Sequence, residues 1–486
     1  MIPAPMKKNI LSLLALAPLA VTADVSLSHI FTSNMVIQRD QPITIWGTAE
    51  AGEKVAVTLT GETEPDTASA TADDVGAWAV TLPKRGPGKP LQLVVQGNNK
   101  IELKNILMGD VWLCSGQSNM VWGMRVSENA KQAIKEGVHP DLRLFAVNRR
   151  LAKEPEDDIR GSKWWPCVPR TLEKTSGKLG YSAVAYYFGR RLKQELGDVP
   201  VGLIVSAYGG SRIETWTTED SWKSVPELAE EYEKLRSANK VEPAAHLKNN
   251  PQTRSRYPIC YNSMIHGLSR LKIKGTIWYQ GEANMSEGAL YFHRQRALVN
   301  GWREIWGKDM PFYFVQLAPY RYPKDKNTAL PHMWLAQQKA ADEIPNSEMA
   351  VTIDVGNAKN VHPGQKRQVG ERLAGLALKH TYGKDVEADG PVYKDHKIAD
   401  GKITISFDHA GKGLATRDGQ APREFEVAGE DGVFHPATAV IASPNKLILS
   451  SPQVAAPVKA RHAWKNTPDA NLMAGSGLPV PCFETQ

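Results

Sequence analysis

Cysteine is scarce in this chain: four residues in 486, namely Cys114, Cys167, Cys260 and Cys482. So few cannot form a disulfide framework for a chain this long, even in an oxidising compartment, and each reads as a small buried hydrophobe. There is no Cys-x-x-Cys pair and no clustered Cys/His spacing of the kind that ligates zinc, so no metal site is expected. A basic run is missing as well. The formal net charge of +7 is modest and scattered, which excludes the electrostatic footprint of a nucleic-acid binder. Long apolar runs are lacking too: the longest, from Ile10 to Val21, is interrupted by Ser12 and Pro18, and no segment is long enough to span a bilayer as a helix. Neither nucleic acid nor membrane is therefore an expected partner. Lys7 and Lys8 precede that run and Val21-Thr22-Ala23 ends it, the charge order and small-residue end of a secretory signal cleaved after Ala23. This predicts a secreted or periplasmic protein.

The apolar content of 42% with 23% charged residues is that of a globular chain, which excludes disorder, and the length allows roughly two to four domains. Gly and Pro cluster between apolar runs and predict many turns and a large β content. Over 24–105, short alternating runs such as Ile43-Thr-Ile-Trp46, Val55-Ala-Val-Thr-Leu59 and Trp78-Ala-Val-Thr-Leu82 predict a β-sandwich. The pattern then changes. Over 106–385, apolar strands at Ile106–Cys114, Val201–Ser206, Gly275–Tyr279, Phe312–Leu317 and Met349–Ile353 alternate with helical patterns at Ser182–Leu196 and Gln365–His380. That alternation predicts an α/β domain, a parallel sheet covered on both faces. A small β-domain is expected over 386–460, and a Pro-rich tail, 461–486, is expected to pack back on the central domain.

In an open parallel sheet, reactive groups gather at the carboxyl ends of the strands. Four such ends carry unusual polar sets: Gly116-Gln117-Ser118-Asn119, Tyr208-Gly209-Gly210-Ser211-Arg212, Gln280-Gly281-Glu282-Ala283-Asn284, and the stretch from Asp354 to Pro363 that contains His362. A serine becomes a nucleophile when a base takes its proton and donors hold the oxyanion that forms. Ser118, His362, the two glycines and Asn284 are the parts for that chemistry. Taken singly, each also fits a turn, a helix cap or a loop histidine.

Together, in order, the four segments resemble the Ser, Gly, Asn and His blocks of the SGNH/GDSL hydrolase superfamily, and within it the sialate O-acetylesterases. The likeness rests on Leu113-Cys-Ser-Gly-Gln-Ser-Asn-Met120, Tyr181-Ser-Ala-Val-Ala-Tyr-Tyr-Phe-Gly189, Trp278-Tyr-Gln-Gly-Glu-Ala-Asn284 and Val361-His-Pro363, and extends to Asn34-Met-Val-Ile-Gln-Arg39. The resemblance implies a three-layer, flavodoxin-like hydrolase domain with flanking β-domains and no metal or organic cofactor. It implies Ser118 as nucleophile and His362 as general base. The oxyanion donors would be the Ser118 N–H, Gly209 or Gly210, and the Asn284 side chain. Many superfamily members place an aspartate two or three residues before the histidine, where this chain has Asn360 and Lys359. Glu282 and Asp354 are the remaining candidates for the acid, and Glu282 is favoured because its loop must lie beside the oxyanion pocket.

Arg212 is a candidate for gripping a sugar's carboxylate in a bidentate fork, and a structural ion pair with Glu214 is its alternative. Gln117 and Gln280 are further candidates for substrate contact. Trp216 and Trp122, just past strand ends, are candidate sugar platforms, whereas Trp112 and Trp278, within strands, read as core. The implied activity is removal of O-acetyl groups from sialic acids through an acyl-enzyme on Ser118. An acetylxylan or other polysaccharide O-acetylesterase would use the same parts. From a different class, the missing aspartate fits a glycan-binding protein whose hydrolase domain is inactive.

Overall fold

The computed structural model of the chain describes residues 24–161, 163–239, 258–322 and 328–485. The expected signal segment lies outside the described residues. A seven-stranded sheet forms the centre, from strands β1 (Lys100–Gly116), β2 (His139–Ala146), β3 (Trp165–Cys167), β4 (Val201–Ala207), β5 (Gly275–Tyr279), β6 (Phe312–Val315) and β7 (Ser347–Ala350). Their spatial order is β3-β2-β4-β1-β5-β6-β7, with β3 antiparallel at one edge and the other six parallel.

Side chains alternate across this sheet and fill two cores. Along β1, Val111 and Leu113 enter one core with Trp278, Phe312 and residues of the helices Leu290–Trp306 and Ala329–Glu343. Trp112 and Cys114 enter the other, with Ile277, Tyr313 and residues of the helices Ala183–Leu196 and Lys366–Leu376. Both faces of each central strand are buried, which is why these strands read as continuous apolar runs. All four cysteines are free and buried.

β1 is shared. Its first part pairs antiparallel with Leu91–Gln96 in the N-terminal β-region, and its later residues, from Asp110 on, pair parallel with β4 and β5. The expected boundary at 105/106 thus falls inside one strand, at Asn105, whose φ is 59°. The N-terminal strands form two sheets whose inward residues share one core, including Ile45 and Val80 from one and Val57 and Leu93 from the other. In the C-terminal region, Lys459–His462 and Phe483–Glu484 pair in one small sheet, and Leu472–Ala474 pairs with Leu414–Thr416. The tail also reaches the central region: the Asn466 carbonyl accepts from the Tyr320 N–H at 3.2 Å, and its side-chain oxygen from the Leu330 N–H at 2.9 Å.

Connections from β1 run first towards β2 and β4 and then cross back to β5, β6 and β7 on its other side. The chain therefore leaves a crevice at the carboxyl ends of β1 and β5, where ligands bind in sheets of this kind.

Candidate active site

Three strand ends are knitted together at this crevice. Gly116 closes β1 with φ of +132°, and a Cβ there would lie 2.1 Å from the Tyr279 carbonyl of β5, so only glycine permits the approach. The Gln117 N–H then donates to Tyr279 O at 2.9 Å, and the Tyr208 N–H, after β4, donates to Gly116 O at 3.0 Å. The short helix Ser118–Val121 starts immediately afterwards, so Ser118 stands at its first position, half-buried.

His362 comes from the loop after β7. Its approach is shaped by successive amides: Asn357 Oδ1 accepts the N–H groups of Lys359 and Asn360, and Asn360 Oδ1 accepts the His362 N–H at 2.9 Å. Asn360, at one of the two positions where an acid was sought, is thus a builder of the loop. The result is a hydrogen bond of 2.8 Å between His362 Nε2 and Ser118 Oγ. Burial lowers the His362 pKa below the ordinary imidazole value, and the Lys366 charge lowers it further. The ring is therefore neutral, and able to accept a proton, to lower pH than a free histidine.

Neither expected acid reaches that ring. Asp354 is held in a two-point ion pair by Arg372, at 2.6 and 2.7 Å, so both carboxylate oxygens are already occupied. Glu282 accepts instead from the Asn119 side-chain amide. Among the described residues, His362 has no carboxylate partner. Asn119 is a junction that sequence reasoning left unassigned: its Nδ2 also donates to Val361 O at 3.0 Å, and its Oδ1 accepts from Lys366 Nζ at 2.5 Å. It thereby ties the Ser118 turn to the His362 loop. Lys366 is fully buried, and desolvation drives its pKa down to about 7 against the opposing pull of Glu282. Burial likewise raises the Glu282 pKa. Lys366 was detectable: it precedes Val369 by three positions and so lies on the buried stripe of its helix.

The glycine loop lies where it was expected. A Cβ on Gly209 would stand 3.7 Å from Ser118 Cβ, and among the described residues the backbone N–H groups of Gly209 and Ser118 have no protein acceptor. Gly210 is exposed, with φ of 71°.

Of the remaining candidates, Asn284, Gln280, Gln117 and Trp216 are engaged inside the protein, Arg212 forms the ion pair with Glu214 that was its alternative, and Trp122 lies at the site. Asn284 is fully buried and gives its Nδ2 to Glu214 at 2.9 Å and Glu287 at 3.1 Å, which leaves it no hydrogen for an oxyanion. Gln280 is equally buried, donating to Asn284 Oδ1 and Ser211 O and accepting from Tyr291. Gln117 turns its side-chain oxygen towards the N–H groups of Gly281 and Ala283, so it splices two loops. Arg212 donates to Glu214 at 2.7 and 3.0 Å, to Ala283 O, and to Glu287, all within the protein. Trp216 is core: it is fully buried, its indole N–H donates to Ser211 Oγ, and it meets Trp278 edge to face. Trp122 alone of the two platform candidates lies at the site, stacked on the His362 ring.

Similarity to known proteins agrees with this geometry. Residues 108–379, more than half of the chain, match the family model described as carbohydrate esterase, sialic acid-specific acetylesterase. The sialate O-acetylesterase of Mus musculus is 28% identical over 511 residues, covering 93% of this chain and 92% of that protein. The one from Homo sapiens is 29% identical over 395 residues, 74% of this chain and 72% of its own. A solved carbohydrate acetylesterase from Xanthomonas citri superposes with a TM-score of 0.84 at 33% identity, covering 95% of this chain and 99% of that one. The chain belongs to the carbohydrate esterase, sialic acid-specific acetylesterase family.

Proposed function

We propose that the chain is an exported esterase that removes O-acetyl groups from sialic acids through an acyl-enzyme on Ser118. The hydrogen bond of 2.8 Å between Ser118 Oγ and His362 Nε2 carries this reading. Ser118 Oγ attacks the acetyl carbonyl carbon while its proton passes to His362 Nε2. The tetrahedral oxyanion is met by the N–H groups of Ser118 and Gly209. Its collapse breaks the ester C–O bond, and the sugar oxygen leaves with the proton from His362. Water then attacks the acetyl-Ser118 carbonyl, giving its proton to His362, and Ser118 Oγ departs with that proton as acetate is released. The order β4-β1-β5-β6-β7 supports a flavodoxin-like SGNH domain as the frame. The charge order around Ile10–Val21 supports export.

One observation favours a second substrate class, an acetylated polysaccharide without a carboxylate: Arg212, the candidate for gripping a sialic acid carboxylate, spends its fork on Glu214 and Glu287. Acetate release from O-acetylated sialic acid and from acetylated xylan, measured side by side, decides between them. A kcat/KM higher on the sialic acid supports the first reading, and the reverse order overturns it.

The reading also sets an expectation for Glu282. Removing the charge of a triad acid lowers kcat by about 10⁴-fold. Because Glu282 contacts Asn119 and not the ring, Glu282→Gln is expected to stay within about tenfold of the wild-type kcat, far from that loss. A loss of triad size, read by steady-state kinetics, would return Glu282 to the acid's role.

A further inference from the structure

His362 has to carry positive charge as Ser118 attacks, yet no carboxylate among the described residues meets its ring. Lys366, whose own pKa burial brings to about 7, opposes the imidazolium whenever it is protonated. Glu282, bonded to Asn119, pulls the Lys366 pKa upward against burial, and Asn360 engages the backbone N–H of His362. What the ring does have is Trp122. The indole and imidazole lie nearly parallel, 12° apart in plane, with centroids at 4.4 Å.

Trp122 is fixed to the nucleophile's own turn. Its N–H donates to Ser118 O at 2.8 Å, its carbonyl accepts from the Ala183 N–H at 3.0 Å, and its indole N–H donates to Val126 O at 3.2 Å. Ser118 and the indole therefore move as one unit, and His362 is held between a hydrogen bond on its edge and a ring on its face. An indole face is negative and attracts a cation placed over it.

We propose that Trp122 is a positioning residue for His362, its indole face taking over the work that a carboxylate does in a complete triad: holding the ring plane and stabilising the imidazolium. The proposal rests on the Ser118–His362 reading above. It gives Trp122 a task distinct from that of a sugar platform. A cation–π contact of this kind is worth about 2- to 30-fold in rate when it is stronger in the transition state than in the ground state.

The test replaces Trp122 with a series of increasingly fluorinated tryptophans, introduced at this one position, since fluorine drains the negative face while keeping the indole shape. With p-nitrophenyl acetate, kcat is expected to fall step by step with fluorination, with KM unchanged. The acid limb of the kcat/KM profile is expected to move to lower pH, because a less stabilised imidazolium loses its proton sooner. A purely structural ring would leave both readouts flat across the series, and that result overturns the proposal. So does a Trp122→Leu variant whose only defect is a raised KM for the acetylated glycan, which would make Trp122 a platform. Failure of the underlying reading has its own signature, namely hydrolysis that survives Ser118→Ala. Hydrolysis that depends on Ser118 but ignores fluorination counts against Trp122 alone.

Discussion

Ser118→Ala is expected to lower kcat on acetyl esters by about 10³-fold or more while leaving thermal unfolding unchanged. The side chain is small and half-buried, and among the described residues its hydroxyl bonds only the His362 ring, so its removal opens little space and orphans no buried group. Ser115, three positions earlier, is the matched control. Its hydroxyl is fully buried and donates to Ser206 O at 2.5 Å, on the neighbouring strand, where no substrate reaches it. Ser115→Ala should therefore cost about 1 kcal/mol of stability for the lost hydrogen bond and keep kcat close to wild type. Kinetics with p-nitrophenyl acetate beside thermal melts separates the two. If Ser115→Ala abolishes hydrolysis and Ser118→Ala does not, the nucleophile is wrongly assigned.

Arg212→Ala is expected to act in the opposite sense, through stability. Arg212 shares Glu214 and Glu287 with Arg294, which lies 3.1 Å from Glu214 and 2.5 Å from Glu287. Glu214 and Asn284 are buried at the centre of this cluster. Deleting one of two arginines leaves two neighbouring carboxylates with half their compensation. Breaking a buried pair in this way costs about 3–5 kcal/mol. Denaturant unfolding should show that loss, and the remaining folded enzyme should lose activity equally on acetylated sialic acid and on an aryl acetate. Wild-type stability with a selective loss on the sialic acid would instead make Arg212 the ligand of the substrate carboxylate.

The two residues differ in how far they can be read from sequence. Ser118 and His362 were legible because each follows an apolar strand in a polar turn, and strand ends of a parallel sheet converge by topology. Arg212 and Asn284 occupy similar turns; the Arg212 pair with Glu214 was among the alternatives and is formed, but Arg212 also donates to Glu287 and Asn284 to Glu214, groups remote in sequence. Sequence proximity cannot show that a donor is already satisfied. The acid was misplaced for a related reason: the loop of Glu282, the favoured candidate, does border the site, but its carboxylate accepts from Asn119 and not from the ring, and Arg372, on the following helix, takes both oxygens of Asp354, the alternative.

Strands were legible in proportion to their apolar signal. Asp66–Thr71 is an edge strand of alternating small and polar residues, exposed or half-buried throughout, and nothing in Asp-Thr-Ala-Ser-Ala-Thr separates it from a loop. β2 was hidden differently. It opens on His-Pro-Asp, and its buried part contains Arg143, which donates to Asn34 and Asn105 of the N-terminal region. Lys366 shows the converse. A lysine on an apolar stripe marks a buried amine, and in the fold that amine, its pKa brought down to about 7, bonds to the junction residue Asn119.

The central claim, an acetyl group carried by Ser118, is tested most directly by stopping the reaction with O-acetylated substrate in acid within its first turnovers and mapping acetylated peptides by mass spectrometry. The account predicts one acetyl group on the peptide containing Ser118, on Ser118 itself, absent from Ser118→Ala and appearing no more slowly than acetate is released. Steady acetate release with Ser118 never acetylated, or with the acetyl group on another residue, would contradict it.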